Sequence, residues 1–125
     1  MMESTMNENY ESFDPKKAME RNGGGEERFL EVAEFFPSYV AQLLTDVDEA
    51  WTQEDRATLK KNSHKLKGSL GMVGAESAFA LATKIEKLAI EADRDTMERL
   101  LGELKSTITS LTSELKAYVK NQKDS

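Results

Sequence analysis

Between residues 96 and 121, Met97, Leu100, Leu101, Leu104, Ile108, Leu111, Leu115 and Tyr118 recur at helical intervals. That period puts them on one face of an α-helix, sustained for roughly 38 Å at 1.5 Å per residue. A helix with so long an apolar stripe needs other helices to cover it. The chain supplies them. Phe29, Leu30, Val32, Ala33, Phe35 and Phe36 mark a first helix over 26–36, begun by Glu26 and Glu27. Pro37 lacks an amide donor and predicts a break or kink there. Val40, Leu43, Leu44, Val47 and Ala50 resume the stripe over 37–50, and Trp51 is expected at the following corner. Thr52 reads as an N-cap for a helix over 53–72, with Glu54 and Asp55 in its first turn. Gly74 ends that helix, and Ala78, Leu81, Ala82, Ile85, Leu88 and Ala89 pattern the next over 75–92.

No segment alternates with period two, and no internal repeat is evident. Short connections imply antiparallel neighbours. The expected fold is therefore all-α: an up-and-down antiparallel helical bundle with a four-helix core and an N-terminal helix. The bundle is expected over 26–121, between a flexible tail at 1–25 and a short one at 122–125. The first tail is polar and ends in Gly23, Gly24 and Gly25. Within it Asp14 and Pro15 suit the start of a short helix reaching Arg21.

Composition narrows the function. The chain has 125 residues and no cysteine, which fits one domain without disulfides or thiolate metal sites. Its start carries no basic end or apolar run, and no stretch approaches the ~20 apolar residues of a membrane span. A cytoplasmic, stand-alone, monomeric protein is expected, with a nuclear pool if the source is eukaryotic. The net charge of −6 is uneven: residues 1–56 carry 14 acids and 5 bases, residues 57–125 carry 9 acids and 12 bases. From Ala57 to Ala75 there is no acid, while Lys60, Lys61, Lys65 and Lys67 are all basic. A basic patch on an acidic protein favours an acidic partner surface. It is too small, and too poor in arginine and aromatics, for nucleic acid.

The only histidine, His64, sits inside that patch. On a helical wheel Leu59, Ser63, Leu66, Leu70 and Val73 share the core face. Ala57, Lys60, His64, Lys67, Gly68 and Gly71 lie opposite, toward solvent. Two glycines within a helix each cost about 1 kcal/mol relative to alanine. Beside an exposed histidine, they suggest that something must approach the ring closely.

The run His64, Leu66, Lys67, Gly68, Ser69, followed by Gly74 and Ala75, resembles the motif of histidine-containing phosphotransfer (HPt) domains of multistep phosphorelays. The helical pattern over 26–121 extends the resemblance to most of the chain. Leu70 departs from it, where many members carry a small residue, but it falls on the core face. The resemblance implies a phosphoryl carrier without kinase activity of its own. It would take the group on His64 from a receiver-domain aspartate and pass it to another receiver. It also implies response-regulator receivers and a hybrid sensor histidine kinase as partners. The carrier would need no cofactor, since the catalytic aspartate and Mg²⁺ would belong to the receiver.

The residues fit that chemistry. A neutral imidazole is a good nucleophile near neutral pH and forms a covalent phosphohistidine. Lys67, three residues on, is placed to offset phosphoryl charge. Lys60 is one turn before the ring. Gly68 would leave room for the partner and the in-line group, and Lys61, Lys65 and Gly71 are expected to dock it. No carboxylate lies within a turn of His64 on its own helix, so a group orienting the ring must come from another helix or from water. The competing reading is an adaptor that binds a receiver or another regulator without being phosphorylated. An autophosphorylating kinase is excluded by the missing ATP-binding segments. A membrane-binding bundle is disfavoured because no face is broadly basic.

Overall fold

The C-terminal stripe forms one uninterrupted helix, and four helices precede it. The structure, a computed structural model, describes residues 10–124. In order these are α1 (Pro15–Asn22), α2 (Gly25–Thr52), α3 (Arg56–Met72), α4 (Glu76–Leu88) and α5 (Arg94–Asp124), with no strand among the described residues. α2 packs on α3 and α5, and α4 packs on the same two helices. The four therefore close a ring around the core, and α1 lies against α2 and α3. All eight apolar residues of the C-terminal stripe are buried. So is the expected core face of α3: Leu59, Ser63, Leu66 and Leu70, with Val73 just beyond.

Pro37 does not break the second helix. It withholds an N–H from the Ala33 carbonyl, a disruption worth ~3 kcal/mol. Yet Phe29, Ala33 and Phe36 before it share one buried stripe with Val40, Leu43 and Val47 after it. At about 0.8 kcal/mol per buried CH₂, that common face outweighs the lost bond. Phe35, one of the apolar residues that mark this helix in the sequence and most simply read as core, is 58% exposed because it falls off this stripe.

The α2–α3 corner also differs from expectation. α2 runs through Thr52, so Thr52 is not the cap of α3. Glu54 turns the chain at φ 59°, and Asp55 caps α3 instead. The Asp55 carboxylate accepts from the Thr58 amide at 3.0 Å and its hydroxyl at 2.7 Å. These bonds hold Asp55 below its usual carboxylate range. α4 ends at Leu88, earlier than expected, and Arg56 explains how that end is satisfied. Its guanidinium donates to the carbonyls of Ala89 at 3.2 Å and Ala92 at 2.7 Å while stacking on Trp51.

The N-terminal region is more structured than a tail. The Asp14 side chain caps α1, accepting from the amides of Lys16 and Lys17. Ser12 donates through its amide and hydroxyl to Glu114 of α5, at 2.9 and 3.0 Å. Phe13 is buried against the rings of Phe29 and Tyr118 and plugs this end of the core. The Asp14 amide donates to the Gly74 carbonyl at 3.0 Å. Gly74 has φ 71°, and a Cβ there would meet the Asp14 carbonyl oxygen at 2.6 Å, so this crossing requires glycine. At the other terminus α5 continues through 122–124, where a tail was expected. The flexible tail expected for residues 1–9, and Ser125, lie outside the described residues.

Candidate functional site

The site lies on the outer seam between α3 and α4. The wheel of α3 sends its apolar stripe inward, so the opposite side chains face out. The His64 side chain is 67% exposed. Lys60 and Gly68 are exposed on the same side, while Lys67 and Gly71 are half-buried.

The group that holds the ring comes from α4. Glu86 follows the buried Ile85 and so points along the seam rather than into the core. Its Oε2 lies 2.9 Å from His64 Nδ1, and its Oε1 lies 2.9 Å from Lys67 Nζ. One carboxylate thus bridges the histidine and the lysine that follows it by one turn. The hydrogen bond from Lys67 and, more weakly, the contact with His64 hold the Glu86 carboxyl below its ordinary range, against the opposing effect of burial. Glu86 is therefore ionised near neutral pH and can only accept. The proton must then sit on Nδ1 of the neutral ring, leaving the lone pair on Nε2. Nε2 has no partner among the described residues and faces solvent.

The glycines differ from one another. A Cβ at Gly68 would meet nothing within 4 Å, so the fold does not need glycine there. Gly71 is partly covered: a Cβ would touch the Phe79 ring at 3.5 Å, and its carbonyl accepts from Arg21 of α1 at 2.6 Å. The lysines separate into two groups. Lys60 and Lys67 share the α4 side of α3 with His64. Lys61 and Lys65 lie on the side marked by Asn62, which reaches across to the Asp46 carbonyl of α2 at 3.2 Å. Among the described residues no three His, Cys, Asp or Glu side chains gather as a metal site, and no helix is long and apolar enough to cross a membrane.

The model of the Hpt domain family matches residues 31–118, a span that includes His64. The chain belongs to the Hpt domain family. Neither a curated protein nor a solved structure matches it. The all-α helical bundle is consistent with the Hpt fold. Hpt domains serve histidine phosphotransfer in phosphorelays and as a family interact with receiver domains and kinases. The match begins inside α2 and ends inside α5, so α1, with its contact to Gly71, lies outside it.

Glu86 is the site residue that the sequence reading did not name. Its helix and its phase relative to Ile85 were legible. The register that sets Glu86 opposite His64, rather than Thr83 or Ile90, comes only from how α3 and α4 pack.

Proposed function

We propose that this chain is a phosphorelay carrier that accepts a phosphoryl group on Nε2 of His64 from a receiver-domain aspartyl phosphate and returns it to another receiver aspartate. The observation that carries the reading is the pairing at His64: Nδ1 bound to an ionised carboxylate, Nε2 open to solvent.

In the forward step the Nε2 lone pair attacks phosphorus, the N–P bond forms, and the P–O bond to the receiver aspartate breaks. The electron pair leaves on that aspartate as carboxylate. The Nδ1 proton stays in place, so the ring gains positive charge as the bond forms. Glu86 opposes that charge at 2.9 Å. It also fixes the tautomer and aims the ring, as a carboxylate partner does for a histidine nucleophile. Lys67, held by the same carboxylate, is one turn along from the ring and offers a cation to the incoming phosphoryl oxygens.

The remaining roles follow the same reading. Gly68, with open space above it, lets the receiver's phosphorylated loop approach the ring. Lys60, Lys61, Lys65 and Gly71 belong to the docking surface, where cations meet the acidic pocket of a receiver. The receiver supplies the catalytic aspartate and Mg²⁺, and the carrier contributes no kinase activity. The carrier acts as a cytoplasmic monomer between a hybrid sensor kinase and response regulators.

The test is incubation of the purified chain with a receiver phosphorylated by a small-molecule phosphodonor. Acid-labile, base-stable phosphate on His64 is the expected result. Stable receiver binding without label would instead establish the adaptor.

A further inference from the structure

A surface groove of about 710 Å³ lies away from His64. It runs between α2 and α5, and its walls include Pro37, Ala41, Leu44, Ile108, Thr112 and Val119. α2 and α5 pack on each other, as do α3 and α4. In the four-helix ring the groove is therefore on the seam diagonally opposite the histidine. It follows α2 from Ala33 to Leu44, roughly 16 Å or three helical turns.

The charges around it are not evenly satisfied. Ion pairs bridge its two ends: Lys105 to Asp48 at 3.0 Å, and Lys123 to Glu34. These use the acids of the α2 wall. Between them Lys116 lines the groove, exposed and without a carboxylate partner among the described residues. Lys120, one turn on, is exposed and likewise unpaired. The hydroxyls of Ser38, Thr109 and Thr112 are already bonded back to carbonyls of their own helices. The polar recognition left to this groove is therefore cationic, above an apolar floor.

We propose that the α2–α5 groove is a second docking surface, whose occupant is an acidic amphipathic helix of a partner protein. A helix laid along the seam places an apolar ridge over Leu44, Ile108 and Val119 and a flanking acid against Lys116 and Lys120. Because the groove faces away from His64, that partner and a receiver can be held at once. The groove would thus tether the carrier without competing with transfer. This assignment does not depend on His64 being phosphorylated.

The experiment uses the full chain, isotope-labelled, and two synthetic helical peptides of about 14 residues, roughly 21 Å long. Both carry the same Leu/Ala ridge, flanked by Glu in one and Lys in the other. The Glu peptide is expected to shift the resonances of Ala41, Thr112 and Val119 and to leave His64 unmoved. Lys116→Glu and Lys120→Glu should each weaken it by about 2- to 5-fold, the range of exposed ion pairs, and improve the Lys peptide in turn. Ala41→Arg, at an exposed position, should block both peptides without unfolding the bundle. The proposal is overturned if the Glu peptide leaves the groove resonances unmoved or if both peptides bind alike. It is also overturned if dodecanoate alone shifts those resonances, which makes the site one for lipid. Concentration-dependent dimerisation abolished by Ala41→Arg would make the occupant a second copy and overturn it as well.

Discussion

Glu86→Gln is the most informative change at the transfer site. It keeps the size and position of the side chain but removes the negative charge that bridges His64 and Lys67. The amide has a second consequence. Its NH₂ can donate to Nδ1, which places the ring proton on Nε2 and removes the nucleophile. A hydrogen bond to a charged group is worth about 1.5–3 kcal/mol when shielded from water. Here the histidine is 67% exposed and the carboxylate 18% exposed, so solvent weakens the pair until a receiver covers it. A loss of ~1–2 kcal/mol in the transfer barrier follows, or roughly 5- to 30-fold in rate. The assay is single-turnover transfer from a phosphorylated receiver by rapid quench, with receiver affinity measured separately. The expected pattern is a slower step at nearly unchanged affinity. The parent should keep its carboxylate through neutral pH, because a carboxyl held below its ordinary range loses its contribution only as pH falls through that lowered value, on the acid side of the ordinary carboxylate range. If Glu86→Gln transfers within twofold of the parent, the carboxylate neither aims the ring nor balances its charge.

Three further outcomes follow from the same geometry. Lys67→Ala should slow transfer by roughly 5- to 30-fold with little change in receiver affinity, whereas Lys61→Ala, on the α2 side of α3, should act through encounter and lose its effect as salt rises; equal behaviour at two salt concentrations would reduce Lys67 to part of the docking patch. Gly68→Gln should raise the melting temperature, since a side chain there meets open space and helix propensity improves by up to about 1 kcal/mol, while receiver binding weakens; unchanged transfer kinetics would exclude this face from docking. Ser63→Ala should stabilise the bundle by about 1 kcal/mol in denaturant melts, because the Ser63 hydroxyl is buried without a hydrogen-bond partner among the described residues; a loss of stability would show that the hydroxyl is satisfied in solution.

What was legible in the sequence is what depends on period. The buried face of α3, the exposure of His64 and the unbroken stripe of α5 all follow from residue spacing, and the structure has each of them. Two local rules lost to tertiary packing. Pro37 stays inside α2 because both flanking halves bury the same stripe. Thr52 loses the cap to Asp55, since the corner is set by Glu54 at positive φ and by Arg56 closing the end of α4. Phe35 shows the limit of composition as a guide: an aromatic next to a core residue is not itself core. Within the segment expected as a tail, the short helix begun by Asp14 and Pro15 is present as α1. What holds residues 10–22 against the bundle is a few long-range contacts, Ser12 with Glu114 and Asp14 with Gly74, which leave no periodic trace. Glu86 is the same case at the site, joined to His64 across 22 residues of chain by the register of two helices.

The measurement that bears most directly on the account is phosphosite mapping after a receiver is phosphorylated and mixed with the chain, read by ³¹P NMR under alkaline conditions. The account predicts one phosphohistidine signal, at Nε2 of His64, lost on acidification and absent from a folded His64→Gln variant. Phosphate on Nδ1, phosphate elsewhere in the chain, or receiver binding with no phosphate transferred would contradict it.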